Sequence, residues 1–291
     1  MRALLIYNPN SGGGGHANRL SLLAQQARQA GHTLEIVTPS TADAAADAAR
    51  QGVAAGFARI CAAGGDGTIN TIIGALADSG VPLGIIPMGT VNVMAREFDI
   101  SLEPERALAV ALAGRVRRVD LGTVNGRPFL LMAGLGFDAH VVANAAPHLH
   151  DAPFRPLAYI TAGLQLLTDH QPSRFRLQLD HVDLTLPAWM LMVSNAPSYA
   201  YQLPMAPAAR MDDGLLDITV FTEESGLDRL LQIGAVFMGQ HTQHPQVSTF
   251  RTHALQVTAD PPAHLQVDGD AAGFTPATFA VRSGALHVVT P

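Results

Sequence analysis

The run Ala62-Ala63-Gly64-Gly65-Asp66-Gly67-Thr68-Ile69-Asn70 lies between an apolar, strand-like segment and an apolar, helix-like one. Strand, glycine-rich turn and helix in that order commit this part of the chain to an α/β layer. Glycine lets the backbone turn tightly and approach a ligand closely. The free N–H groups and positive dipole end of the following helix point back into the turn. The arrangement suits a nucleotide phosphate, with Thr68 and Asn70 as polar side chains at its mouth and Asp66 placed to meet a metal or a hydroxyl. A bare strand-to-helix turn is the competing reading, and it leaves those three residues unexplained. A Walker A loop is excluded, because it needs a lysine and all 18 basic residues of this chain are arginine. A dinucleotide fingerprint fails because Asn70 stands where its third glycine belongs.

The same alternation extends over the first ~120 residues. Strands are expected over Ala3–Tyr7, Thr33–Val37, Ala58–Ala63 and Leu83–Ile86. Helices are expected over Ala17–Ala30, Thr41–Ala55 with Thr41 as its N-cap, Ile69–Ala77, the stretch ending at Phe98, and Pro104–Ala113. Repeated βα units imply a parallel sheet covered on both faces, with ligands at the carboxyl ends of its strands. Three loops fall there: Asn8–Gly15, Gly64–Asn70 and Pro87–Asn92. After Arg118 the texture changes to short β-type runs, interrupted by helical segments at Leu157–Thr168 and Leu227–Met238. That pattern fits an antiparallel sandwich.

Each remaining polar cluster has two readings. Asn8-Pro9-Asn10-Ser11-Gly12 and the glycines after it offer backbone donors to phosphate or form a simple connection. Thr38 reaches a base or ribose, or merely ends a strand before Pro39. Thr90 lines the third loop or caps the helix beyond it. In Arg210-Met211-Asp212-Asp213-Gly214-Leu215, adjacent carboxylates can hold a hard cation, although Asp-Gly is first of all a hairpin signal. Asp268-Gly269 reads as a tight turn that projects Asp270 from a rigid position, useful for a general base. The pairs His148/His150 and His241/His244 lack a third ligand at metal spacing.

A net charge of −6 argues against a nucleic-acid partner. The single cysteine, Cys61, falls in an apolar strand and is expected as a buried thiol of a chain in a reducing cytosol. Met1–Tyr7 reads as a strand rather than a leader, and the longest uncharged stretch is broken by prolines, so no transmembrane segment is expected.

Taken together these segments resemble the soluble diacylglycerol kinase catalytic-domain superfamily, which holds bacterial lipid kinases and the sphingosine and diacylglycerol kinases of eukaryotes. The resemblance is carried by Asn8-Pro9, Gly64-Gly65-Asp66-Gly67-Thr68-Ile69-Asn70, Pro87-Met88-Gly89-Thr90-Val91-Asn92 with Ala95-Arg96, and Val119-Asp120-Leu121-Gly122. It continues through Gly134-Leu135-Gly136-Phe137-Asp138-Ala139, Asp212-Asp213-Gly214-Leu215-Leu216-Asp217 and Val267-Asp268-Gly269-Asp270. It implies a nucleotide-binding α/β domain over 1–122 to which strands at 277–291 return, a lipid-binding β-sandwich over 123–276, and an active site in the cleft between them. It implies ATP held by Asn8, Pro9, Asn10, Ser11, Gly12, Thr38, Gly64, Gly65, Asp66, Gly67, Thr68, Ile69, Asn70 and Thr90. It further implies Mg²⁺ at Asp213 with the carbonyls of Arg210 and Leu215, and Asp270 as proton acceptor where relatives usually carry glutamate. Asp66 and Asp120 would help to organise metal and water. The implied activity is phosphorylation of a lipid hydroxyl by a cytoplasmic protein peripheral to the inner face of the membrane, with a homodimer left open. An NAD-kinase-like enzyme and a non-catalytic binding protein are the alternatives.

Overall fold

The computed structural model describes residues 1–11, 17–145, 163, 165–167, 170–199, 203–223 and 225–291. Gly12, the pair His148/His150 and most of the expected helix at 157–168 lie outside the described residues. The elements in order are β1 (Arg2–Tyr7), α1 (Ala17–Gln29), β2 (Thr33–Val37), α2 (Ala42–Ala54), β3 (Arg59–Gly64), α3 (Asp66–Leu76), β4 (Leu83–Pro87), α4 (Val93–Glu97) and α5 (Pro104–Ala113). There follow β5 (Arg115–Val124), β6 (Arg127–Phe129), β7 (Met132–Gly136), α6 (Phe137–Ala145), β8 (Ser173–Leu179), β9 (Asp183–Ala188), β10 (Met190–Ser194) and β11 (Leu216–Phe221). The last are α7 (Gly226–Phe237), β12 (Val247–Thr252), β13 (Ala254–Asp260), β14 (His264–Val267), β15 (Asp270–Phe274) and β16 (Ala277–Thr290). Contacts divide the chain into Met1–Leu121 with Arg282–Pro291, and Gly122–Tyr199 with Leu203–Val281.

In the first unit β2, β1, β3, β4 and the end of β16 lie side by side and parallel. Strands β1, β3 and β4 are short apolar runs buried on both faces, as the βα alternation requires, while the edge strand β2 is only partly covered. Leu5, Tyr7, Ala63 and Met88 meet Leu23 and Ala27 of α1 and Leu108 and Ala111 of α5. On the opposite face α2 comes so close that Gly52 has no room for a Cβ beside Leu4 and Ile60. Thr41 caps α2 as expected, its Oγ1 accepting the Ala44 N–H at 3.1 Å. Cys61 is fully buried, and burial pushes its thiol up to about 12, so it is an inert core residue. None of the helices among the described residues is long and apolar enough to cross a membrane.

The second unit is an antiparallel sandwich. One sheet joins the start of β16 to β13, β8 and β9, with the β5–β6 hairpin against β16. The other runs β12-β11-β10-β7-β14-β15. Phe129, Phe175 and Phe279 from the first sheet meet Leu135, Leu191, Ile218 and Leu265 from the second in one core. Each such side chain contributes roughly 1.5–3 kcal/mol when fully buried. The Asp213-Gly214 step is a turn leading into β11 rather than the link of a hairpin, whereas Asp268-Gly269 does link β14 to β15.

Candidate functional site

In the first unit the carboxyl ends of β1, β3 and β4 bring three short loops together. Helix α3 begins at Asp66, three residues before the expected start, because Gly65 is its N-cap and Asp66, Gly67 and Thr68 form its first turn. The glycine-rich run is therefore mostly helix N-terminus, whose first N–H groups have no partner within the helix. Asn8 donates from Nδ2 to Thr68 Oγ1 at 3.1 Å and accepts the Asn10 N–H at 3.0 Å, while Ser11 Oγ accepts the Gly65 N–H at 3.3 Å. These contacts fasten the 8–11 loop to the α3 turn.

The third loop is held by side chains that the local sequence does not single out. Asn92, in left-handed backbone at φ 53°, precedes α4, and its amide bonds both the N–H and the carbonyl of Gly89 at 2.9 and 2.8 Å. The Asp66 carboxylate accepts the Val93 N–H at 3.0 Å and the Met94 N–H at 2.9 Å, so it caps α4 from α3. Burial pushes the Asp66 pKa up from its ordinary value, against the pull of those backbone donors. Thr90, with a nucleotide contact and a helix cap as its two readings, is an exposed loop residue, and Asn92 stands at the N-cap of α4. A Cβ on Gly89 would lie 2.6 Å from the Gly65 Cα, so these two glycines allow the two loops to touch.

Gly67 differs from them. A Cβ there would meet nothing within 4 Å, so no protein contact explains its glycine. It borders a cavity of about 170 Å³ that Asn8, Asn10, Ser40, Thr41 and Thr71 also line. Thr38 lies one residue before the cavity-lining Pro39. Thr68 is buried in the first turn of α3, Asn70 is half-buried one turn on, and Ile69 turns into the core. Asp120 lies elsewhere in this unit and accepts the Gly284 N–H at 2.6 Å.

In the second unit the tight turn after β14 uses positive φ at both Asp268 (47°) and Gly269 (88°), which suits a two-residue hairpin. Asp268 fixes the turn: its carboxylate accepts the N–H groups of Leu130, Leu131 and Met132 at 2.8, 3.0 and 2.9 Å. Gln266 accepts the Gly269 N–H at 2.8 Å and donates to Asp138 Oδ2 at 2.8 Å, and the Tyr199 hydroxyl donates to Asp138 Oδ1 at 2.6 Å. Burial pushes Asp138 up from its ordinary value, and the Tyr199 and Gln266 donors oppose that push. Asp270 itself is exposed, with Oδ2 2.8 Å from Arg127 Nη2.

At the Asp213 turn, Oδ1 accepts the Leu215 N–H at 3.1 Å, and Oδ2 is covered by Arg251. Arg251 Nε also lies 3.4 Å from buried Asp217, whose Oδ2 has no hydrogen-bond partner. Burial pushes Asp217 up and Arg251 opposes it. Arg210 pairs with Asp212 at 3.3 Å. Among the described residues no group of three or more His, Cys, Asp or Glu side chains is arranged to hold a metal ion. A dication between Asp213 and the Arg210 and Leu215 carbonyls fits these residues only if Arg251 leaves.

Residues 2–124 match the sequence model of the diacylglycerol kinase catalytic domain, and residues 132–290 match that of the YegS C-terminal NAD kinase beta sandwich-like domain. A diacylglycerol kinase of Staphylococcus saprophyticus is 30% identical over 294 residues, spanning 100% of this chain and 95% of the relative. One from Bacillus subtilis is 28% identical over 294 residues, spanning 100% and 96%. The crystal structure of a diacylglycerol kinase from Bacillus anthracis superposes with a TM-score of 0.77 at 19% identity, covering 100% of this chain and 97% of that one. With full-length similarity of this kind and both halves matched, the chain is a kinase of the diacylglycerol kinase catalytic-domain family.

Proposed function

We propose that this kinase transfers the γ-phosphoryl group of ATP, supplied as its Mg²⁺ complex, to a hydroxyl of a lipid such as diacylglycerol or a sphingoid base, at the cytoplasmic face of a membrane. The observation that carries the reading is the first turn of α3, where Gly67 leaves open space beside a cavity and no neighbour requires a glycine. Backbone donors in the first turn of α3, Asp66 and Gly67, with Asn8, Asn10, Ser11, Gly65, Thr68, Thr38 and Thr90 around them, bind and orient the donor's phosphates and sugar. Charge on the transferred group is met by these dipoles, and Mg²⁺ on the nucleotide supplies further neutralisation. Asp66 serves as a positioning residue, since its carboxylate is committed to the N-terminus of α4.

Asp270 takes the proton of the lipid hydroxyl at Oδ1, with Arg127 holding Oδ2. Phosphoryl transfer is loose, so the base matters less than charge and position. Asp270→Asn is expected to lower kcat about 10²-fold with KM for ATP unchanged, and Asp270→Glu to remain active. Steady-state kinetics check both.

Magnesium at Arg210, Asp213 and Leu215 belongs to the same reading and competes with Arg251 for one carboxylate. Arg251→Ala is expected to enlarge the rise in melting temperature that Mg²⁺ produces. An equal rise in both proteins contradicts that placement.

A second reading, an NAD-kinase-like enzyme, draws on the description of the matched C-terminal domain. One assay separates the two. γ-labelled ATP is incubated with a total lipid extract in mixed micelles, and in parallel with NAD. A single labelled lipid supports the proposal and names the acceptor; label in the dinucleotide alone rejects it.

A further inference from the structure

The buried face of helix α7 carries Arg229 and Gln232, both bonded into the fold, beside the smaller apolar Ala235 and Val236, while its larger apolar side chains lie outside. Arg229 pairs with Glu223, its Nη2 2.6 Å from Oε1, and its Nη1 donates to the carbonyls of Leu167 and His170 at 2.9 and 2.8 Å. Gln232 accepts the Trp189 indole N–H at 2.8 Å and donates to the Thr222 carbonyl at 2.7 Å. The outward face shows Leu227 (63% exposed), Leu230 (49%), Leu231 (54%), Phe237 (53%) and, just past the helix end, Met238 (67%). Spacing of three, four and seven residues sets the three leucines and the last two side chains on one stripe. The one acidic residue of the helix, Asp228, folds back to Ser225 in a capping box, and no charged side chain on α7 is exposed.

We propose that this stripe is where the kinase docks on a lipid bilayer, lying flat with its side chains in the headgroup–acyl boundary. The inference rests on the lipid-kinase reading and adds the surface through which a protein of that kind meets its substrate. Two observations choose the bilayer over another protein. The stripe presents on the order of 500 Å² of apolar surface, short of the roughly 800 Å² per partner that a stable dimer covers. Along α7 itself no exposed charge borders the stripe, whereas a protein interface is framed by polar and charged groups. A twelve-residue helix is about 18 Å long, a fitting length for a single interfacial helix. The chain's charge of −6 gives no attraction to an anionic surface, so docking draws on apolar burial and needs no anionic lipid.

The test is flotation of the full chain, without ATP, on phosphatidylcholine vesicles prepared with and without phosphatidylserine. The chain is expected to float on both, at low and at high salt. The Leu227→Ser/Leu231→Ser variant is expected to lose vesicle affinity at least tenfold, with its melting temperature and its turnover of a dispersed short-chain diacylglycerol unchanged. Several results overturn the proposal: no flotation of the wild-type chain, flotation abolished by high salt, or a variant that floats normally. A variant that melts lower overturns it too, since the chain itself would then cover the stripe, and so does a wild-type dimer that the variant splits. Flotation needs no chemistry, so the two readings fail separately. A chain that phosphorylates short-chain lipid but never floats keeps its kinase assignment and loses the docking surface. A chain that floats through α7 yet labels no lipid does the reverse.

Discussion

Asp66→Ala is expected to lower lipid phosphorylation about 10³-fold, beyond the effect of removing the proposed base. Its two oxygens accept the N–H groups of Val93 and Met94, both buried, and so tie the first turn of α3 to the start of α4. That tie sets the spacing between Gly65 and Gly89, whose backbones touch. Removing the carboxylate orphans two buried donors at roughly 1–3 kcal/mol each and frees the loop that carries Thr90. A displacement of about 1 Å at a phosphoryl site is enough for a 10²-fold loss. Asp66→Asn keeps one acceptor and is expected to fall between the alanine variant and wild type. Kinetics and thermal melts on both variants check this; unchanged turnover in either would remove Asp66 from the site.

Asp268→Ala is expected to destabilise the second unit by about 3–5 kcal/mol, a fall in melting temperature on the order of 10 °C. Three N–H groups on Leu130, Leu131 and Met132 converge on that one carboxylate, and all three residues are buried. The same residue holds left-handed backbone at φ 47°, which alanine adopts less readily than aspartate or asparagine. Asp268→Asn is therefore expected to recover much of the loss. Differential scanning calorimetry on the pair measures it, and a melting temperature within a degree or two of wild type for Asp268→Ala would show that the three bonds contribute little.

Much of the fold was legible because its signals are local. Short apolar runs alternating with amphipathic stretches give β1 to β4 and their helices, and the Thr41 cap reads directly from its position. Helix α3 starts three residues before the apolar periodicity that begins at Ile69. Asp66, Gly67 and Thr68 are weak helix formers, but the first turn of a helix depends on its caps and dipole more than on propensity. Strands β9 and β12 give weak local signals because their burial is partial, β12 is largely polar and β9 ends in Pro187-Ala188. Helix α6 was passed over directly after the Gly134-Leu135-Gly136 run, where Gly136 turns the chain at φ 80°.

What the sequence could not display are ties across long separations. Asp66 to Met94, Asp268 to Leu130, Arg251 to Asp213 and Arg127 to Asp270 join residues from 28 to 143 positions apart. Helix α7 is the complementary case. Its position was read correctly from periodicity, yet the leucine face that periodicity assigns to a core is the one left outside, because Arg229 and Gln232 have better partners within.

The most direct measurement is transfer of label from γ-labelled ATP into diacylglycerol micelles by wild type and Gly67→Ala side by side, with a thermal melt of each. Wild type is expected to label the lipid, while Gly67→Ala melts at the same temperature or slightly higher, since alanine favours a helix by about 0.5–1 kcal/mol over glycine, and needs at least tenfold more ATP for the same rate. A wild-type chain that labels no lipid, or a Gly67→Ala chain with unchanged dependence on ATP, would contradict the proposed function.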